Sequence, residues 1–205
     1  MRFLKRQWRR WQSAQQTLSE VEILVLDLEL TGLDPRQHEI VSAAWVPIKA
    51  GRIQLGGAEH WLNRDVKQLA QSPVYHGVSH AHLAAGCALE EFVEALRRAV
   101  HNRIVLCHHA HLDLSFIRNL LRSQQCIAEP RLVLDSMWLE RRRLLQQGKE
   151  IGQDDLTLAA CRARYQLPPY QEHHALSDAL ATAELFLAQT VTMGSADSLR
   201  LAKLL

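Results

Sequence analysis

The stretch Glu22–Pro35, EILVLDLELTGLDP, decides how the rest of the chain is read. Glu22 to Leu28 is an apolar run of strand length, and Thr31-Gly32-Leu33-Asp34-Pro35 is a turn-rich segment that ends it. Side chains alternate along a strand, so Asp27 and Glu29 project to one face while Leu26, Leu28 and Leu30 point to the other. Two carboxylates at the end of an apolar strand raise each other's electrostatic cost, which a divalent cation between them relieves. A surface-facing pair of acids on an edge strand has the same spelling, and the pair alone does not choose between the two.

Downstream, Glu39 to Ile48 and Arg52 to Leu62 read as two strands joined by the turn Lys49-Ala50-Gly51, an antiparallel hairpin that makes the sheet mixed. Leu89 to Val100 has helical periodicity, Arg103 to Cys107 is a short buried strand, and Leu112 to Ser123 is helical again. Arg131 to Leu134 is the last strand. Helices at Ser136 to Gln147 and Leu156 to Tyr165 then lead to Leu167-Pro168-Pro169-Tyr170, where paired prolines stop helix formation. A long helix from Ala175 to about Gln189 follows, and the remainder to Leu205 has weak helical character. This succession predicts one α/β domain, a mixed five-stranded sheet flanked by helices.

Upstream, residues 1–20 form a basic lead-in in which Leu4, Trp8 and Trp11 fall at the spacing of an amphipathic helix. Residues 1–12 hold five basic residues and no acid, leaving 19 basic against 22 acidic, a net of −3, for the rest of a chain whose total is +2. The basic excess is therefore an extension, and overall charge does not mark a nucleic-acid binder. The expected organisation is an extension at 1–20, a main domain at 21–190 and a tail at 191–205.

With 205 residues, 47% of them hydrophobic, the chain has enough material for one sizeable core. No run of about 18 apolar residues is present and the N-terminus has no apolar leader, so a transmembrane segment and a secretory signal are not expected. A soluble cytoplasmic protein is the expectation. Cys87, Cys107, Cys126 and Cys161 are irregularly spaced without a CxxC pair, which predicts reduced thiols instead of a disulfide framework or structural zinc.

Two more acids and a histidine complete the chemistry. Asp113 lies in VLCHHAHLDLSFI, at the start of the helix after Arg103–Cys107. Taken alone it is an ordinary first-turn acid favoured by the helix dipole. Asp178 lies in ALSDALATAELFLAQ, apolar almost all round, where an ionised carboxylate is costly without a partner or metal. No basic residue is within one turn of it. His173 precedes that helix in the loop after the prolines; a histidine there can take a proton from water near neutral pH. The neighbours His108, His109 and His111 alternate in direction and make a poor zinc site.

Together three ordered segments resemble the DEDDh exonuclease family, which includes the proofreading epsilon subunit of bacterial DNA polymerase III, RNase T and the animal TREX enzymes. VLDLELTGLDP resembles its Asp-x-Glu motif with a following Thr-Gly, CHHAHLDLSFI its second motif, and HHALSDALATAELF its His-x4-Asp motif. The resemblance spans Val25 to about Leu187 and implies a ribonuclease-H-like fold and 3'-to-5' exonuclease activity. It implies that Asp27, Glu29 and Asp178 bind one divalent cation, that Asp27 also touches a second, and that Asp113 completes a site for two Mg²⁺ or Mn²⁺ ions. His173 is implied as general base.

By the same resemblance, the Leu30 and Thr31 backbone and the Leu33 side chain hold the 3'-terminal nucleotide, with His108 and Leu112 nearby. Leu30 stands where the family commonly has threonine, His109 where asparagine is usual and Leu112 where phenylalanine precedes the aspartate. These departures bear on substrate preference and leave every acid and the base in place. The implied partner is the 3' end of single-stranded nucleic acid, DNA before RNA, with a polymerase or repair protein as a possible associate. The alternatives are an RNA-trimming enzyme and a catalytically weak, polymerase-associated binding module.

Overall fold

The computed structural model describes residues 2–67 and 83–205. Its elements are α1 (Arg2–Gln15), β1 (Glu22–Leu30), β2 (Ile40–Lys49), β3 (Arg52–Ile53), β4 (Glu59–Leu62), α2 (Leu89–Val100), β5 (Ile104–Cys107), α3 (Ala110–Ser123), β6 (Leu132–Asp135), α4 (Ser136–Gln146), α5 (Leu158–Arg164) and α6 (Ala175–Val191). Strand order is β3-β2-β1-β5-β6, with β4 also paired to β2. β1 is antiparallel to β2 and parallel to β5, and β5 is parallel to β6, so the sheet is mixed.

Among the described residues the sheet has six strands, one more than the sequence predicts. The difference lies in Arg52–Leu62, expected as one strand, which a 3-10 turn at Leu55–Gly57 divides into β3 and β4. Both halves still pair with β2, at Ile48↔Ile53 and at Ser42↔Leu62 through Trp45↔Glu59. The turn brings the chain against Pro47, whose ring would lie 3.0 Å from a Cβ placed on Gly57. A side chain at that position would crowd the Pro47 ring, which would have to give way by a few tenths of an ångström.

β1 is apolar on both faces because helices cover both. Leu24, Leu26 and Leu28 enter a core with Phe92, Leu96, Phe116 and Ile117 from α2 and α3. Ile23 and Val25 enter the opposite core with Leu139 of α4 and Ala179, Ala183 and Phe186 of α6. Asp27 and Glu29 continue the second set, so the alternation read from the sequence places them beneath α6. The partners opposite them on β2 are Ala44 and Ser42. These side chains are small, as are Ala175 and Ala179 of α6, which lets that helix approach the strand ends closely.

The ends of the chain meet at the other end of β1. Leu18, Leu199, Leu201 and Leu204 are buried in the same core as Ile23. Backbone hydrogen bonds from Leu18 N–H to the Leu199 carbonyl (2.9 Å) and from Leu201 N–H to the Gln16 carbonyl (3.0 Å) join the two segments. In α1, Trp8 and Trp11 are exposed and stacked on each other, ring centroids 5.2 Å apart. The side chain of Leu4 lies outside the described residues.

Candidate active site

The site forms where β1 runs on beyond its pairing with β5. β5 accompanies β1 only through Ile23↔Ile104, Leu24↔Val105 and Val25↔Leu106. A register irregularity between Glu29 and Leu30 follows, with β1 still paired to β2 at Leu30↔Ile40. Asp27 and Glu29 therefore sit at the carboxyl end of the central strand, beside an opening between parallel strands where open α/β sheets bind ligands. α6 brings Asp178 over this end in its first turn. Ligand oxygens of Asp27, Glu29 and Asp178 all lie within 4.8 Å of one another.

Burial and mutual repulsion act in the same direction on these groups. Burial, followed by the charges of Asp113, Asp178 and Glu29, raises the Asp27 carboxyl well above the usual carboxylate range. Glu29 is pushed up to about 8 by burial and then by Asp178. Asp178 is raised by burial, partly offset by the Tyr170 hydroxyl and His173 beside it. Two unit charges about 4 Å apart repel by about 4 kcal/mol at an effective dielectric near 20, so three ionised carboxylates here require a countercharge. Among the described residues no lysine or arginine pairs with any of them.

The residues fit a hard divalent cation. Asp178 Oδ2 accepts the backbone N–H of His173 at 3.1 Å, whereas Asp178 Oδ1 is buried and has no hydrogen-bond partner among the described residues. An orphaned, buried carboxylate oxygen beside two further carboxylates is an all-oxygen donor set suited to Mg²⁺ or Mn²⁺.

Asp113 is brought to the same end of the sheet but stands apart from this triad. It is buried in α3, and burial raises its carboxyl to about 8, with the Cys107 thiol opposing the shift and the charges of Asp135 and Glu29 adding to it. Its charge is felt at Asp27 before that of Asp178. The geometry thus divides the acids into a close set of three and one flanking member.

His173 is exposed in the loop before α6, with its backbone in the left-handed region at φ 62. Such a conformation is uncommon for a side-chain-bearing residue and persists where the surroundings hold it. Here the Asp178 carboxylate does so. The side chain belongs to the loop, as the spacing of five from Asp178 suggests.

The loop after β1 is closed by two bonds, Thr31 N–H to the Glu39 carbonyl (3.0 Å) and Glu39 N–H to Thr31 Oγ1 (2.9 Å). At its tip Leu33 is 76% exposed, an apolar side chain left open to solvent. Leu30 and Leu112 are half-buried against the core below. His108 has both ring nitrogens engaged, Nδ1 with Ser136 Oγ (2.8 Å) and Nε2 with the Leu156 carbonyl (2.9 Å). It braces β5 against α4 and the segment before α5, and keeps no ring nitrogen for a nucleotide.

Two positioning groups escaped the sequence reading. Asp135, at the end of β6, accepts N–H bonds from Met137 and Trp138 of α4 and from His109 and Ala110 at the start of α3. One carboxylate thereby fixes two helix starts, including that of the helix carrying Asp113. An aspartate directly before a helical run is an N-cap signal, so half of this role was legible. Tyr170 lies beside Asp178 and under the Arg162 guanidinium, 4.9 Å from its ring. Arg162 itself pairs with Glu184 at 2.8 Å.

Comparison with known proteins agrees with this geometry. Residues 24–186 match the RNase T family model, described as an exonuclease. The PolC-type DNA polymerase III of Thermotoga maritima is 26% identical over 172 residues, which cover 83% of this chain and 12% of that protein. A DNA polymerase III epsilon-like protein of Rhodobacter capsulatus is 30% identical over 178 residues, 85% of this chain and 24% of that protein. The chain thus spans a quarter or less of these relatives.

Among solved structures, E. coli exonuclease I in complex with a dA16 oligonucleotide superposes with a TM-score of 0.68 at 15% identity, covering 83% of this chain and 41% of that one. Exonuclease X in complex with 5' overhanging duplex DNA gives 0.63 at 22% identity, covering 89% and 98%. The architecture is the ribonuclease-H-like fold of these exonucleases. With the carboxylates at its strand ends and the family match over most of its length, the chain belongs to the RNase T exonuclease family.

Proposed function

We propose that the chain is a metal-dependent 3'-to-5' exonuclease that acts on single-stranded 3' ends, DNA in preference to RNA, and releases nucleoside 5'-monophosphates. The observation that carries this reading is the convergence of Asp27, Glu29 and Asp178 within 4.8 Å, with Asp178 Oδ1 buried and unpartnered. These three would hold one Mg²⁺ or Mn²⁺ ion, and Asp27 with the flanking Asp113 would face a second. Such ions acidify a water molecule and offset the charge that develops on the departing 3' oxygen.

The chain's own groups do the rest. His173, exposed in its loop and anchored through its backbone N–H to Asp178, accepts the proton of the attacking water. Leu33, exposed at the tip of the closed loop, packs against the terminal base, and the Leu30 and Thr31 backbone receives the nucleotide. An apolar wedge with backbone contacts is tolerant of sequence, as an enzyme that removes any nucleotide requires. Leu112 lines the same opening, and His108 braces the strand end behind it. The structure of exonuclease I with a dA16 oligonucleotide supports a single-stranded substrate. The polymerase III names of the relatives support a polymerase partner.

The test is incubation with 5'-labelled single-stranded DNA, duplex DNA and RNA, in Mg²⁺, Mn²⁺ or chelator, alongside His173→Ala. The expected result is a metal-dependent ladder that shortens from the 3' end, fastest on single-stranded DNA and lost in the variant. Shortening of RNA alone, or release of the 5' label as a mononucleotide at the outset, contradicts the proposal.

A further inference from the structure

The interface between α6 and the sheet holds a pair of histidines that the reaction as described does not use. His60 on β4 is opposite Ala44, and Ala44 is opposite Asp27, so the three stand in one row across the sheet on the face beneath α6. His174, the N-cap residue of α6, lies over the end of this row, with its ring centroid 4.9 Å from that of His60 and the planes tilted by 57°. His60 Nε2 and His174 Nδ1 are both removed from water and have no hydrogen-bond partner among the described residues. Neither ring caps the helix. A polar ring in such a place gives up hydrogen bonds to water, and its gain is in packing.

The packing has a specific consequence. His174 directly follows His173, whose backbone is held at φ 62, and the His174 carbonyl accepts the first-turn N–H of Asp178 at 2.9 Å. His173 N–H in turn donates to Asp178 Oδ2. The junction is therefore a closed unit of His173, His174 and Asp178. The His60–His174 ring contact ties it to the sheet edge, in the same row as Asp27. Burial, and then the neighbouring His174, lowers the His60 pKa, which favours the neutral ring that such a contact needs.

We propose that His60 is a positioning residue for the reaction: through His174 it sets where the loop bearing His173 stands over the carboxylates. This inference rests on His173 being the general base. A ring that fixes the base should govern the chemical step more than substrate binding or metal affinity. A small displacement of a reacting group is enough to slow the step by one to two orders of magnitude.

The experiment compares His60→Ala, His60→Phe, His60→Asn and His173→Ala in the full chain, measuring kcat and KM on a single-stranded oligonucleotide and the Mn²⁺ midpoint. His60→Phe keeps the ring and should retain kcat within about 3-fold, while His60→Ala and His60→Asn should lose about 10- to 100-fold in kcat. KM and the Mn²⁺ midpoint should stay within about 2-fold in all three. Should the alanine variant not fold, the phenylalanine and asparagine variants decide the matter between them. Equal kcat for phenylalanine and asparagine, or a loss that falls on the Mn²⁺ midpoint instead, overturns the proposal. His173→Ala separates the two readings: if it keeps wild-type kcat, the assignment of the base fails, whereas if it is inactive and the His60 variants are unaffected, only the positioning role fails.

Discussion

The backbone N–H of His173 donates to Asp178 Oδ2 at 3.1 Å, so the proposed base and one proposed metal ligand are linked by a single hydrogen bond. One carboxylate oxygen orients the loop while the other, buried and unpartnered, is left for a cation. Asp178→Asn removes the charge yet keeps an oxygen able to accept that bond. The variant should bind Mn²⁺ at least about 10-fold more weakly and lose about 100-fold or more in kcat while its melting temperature is maintained or raised. Calorimetric titration with Mn²⁺ and a thermal melt check this; unchanged Mn²⁺ affinity would remove Asp178 from the site.

The raised carboxyls carry a pH signature. The fold raises the Glu29 carboxyl from its ordinary 4.5 to about 8, so the folded state holds its proton more tightly than the unfolded chain does. Its stabilising contribution is present below pH 4.5 and is lost as pH rises through about 8. In chelator, the wild-type melting temperature should therefore fall with rising pH across this window more steeply than that of Glu29→Gln. Mn²⁺ should raise the melting temperature more at pH 8 than at pH 6, because binding displaces the protons. Parallel pH profiles for the two proteins in chelator would count against the assignment.

The loop after β1 offers a separate handle on substrate. A Cβ on Gly32 would lie 2.3 Å from the His38 ring, which is lodged within the same turn. Gly32→Ala must displace that ring and with it the tip bearing Leu33. Both Gly32→Ala and Leu33→Ala should raise KM for single-stranded DNA by about 5- to 50-fold, with kcat within about 3-fold. Steady-state kinetics with saturating metal measures this, and an unchanged KM in both variants would show that the tip does not touch substrate.

The exposed Trp8–Trp11 stack lies on the helix leading into the opposite end of β1 from Asp27. Glu22 and Asp27 are five residue steps apart along β1, roughly 17 Å of rise. Changing both tryptophans to alanine should leave kcat/KM on an oligonucleotide of about 10 nucleotides within about 2-fold, at low and high salt alike. A large loss confined to low salt would instead assign the arm to substrate binding.

Much of this site was legible because it depends on short-range periodicity. Alternation along EILVLDLEL is enough to put Asp27 and Glu29 on one face, and the core contacts of Ile23 and Val25 identify that face as the one beneath α6. The apolar circumference of ALSDALATAELFLAQ marks Asp178 as a buried carboxylate in the same way. The division of β3 from β4 was missed although Gly56 and Gly57 interrupt the predicted strand, a turn signal outweighed by the apolar residues around it. The His60–His174 contact has no local sign at all, since it joins a strand and a helix start that only the completed sheet brings together. Likewise, nothing near His108 reveals that its nitrogens are taken by Ser136 and Leu156.

The most direct measurement follows the shortening of a 5'-labelled single-stranded oligonucleotide by purified wild type and Asp27→Ala, in chelator and across an Mn²⁺ titration. If Asp27, Glu29 and Asp178 hold the catalytic cation, the wild type shortens the strand one nucleotide at a time from its 3' end only when Mn²⁺ is present, and Asp27→Ala gives no ladder at any concentration. A ladder of equal rate in chelator, or one that persists in Asp27→Ala, contradicts the account.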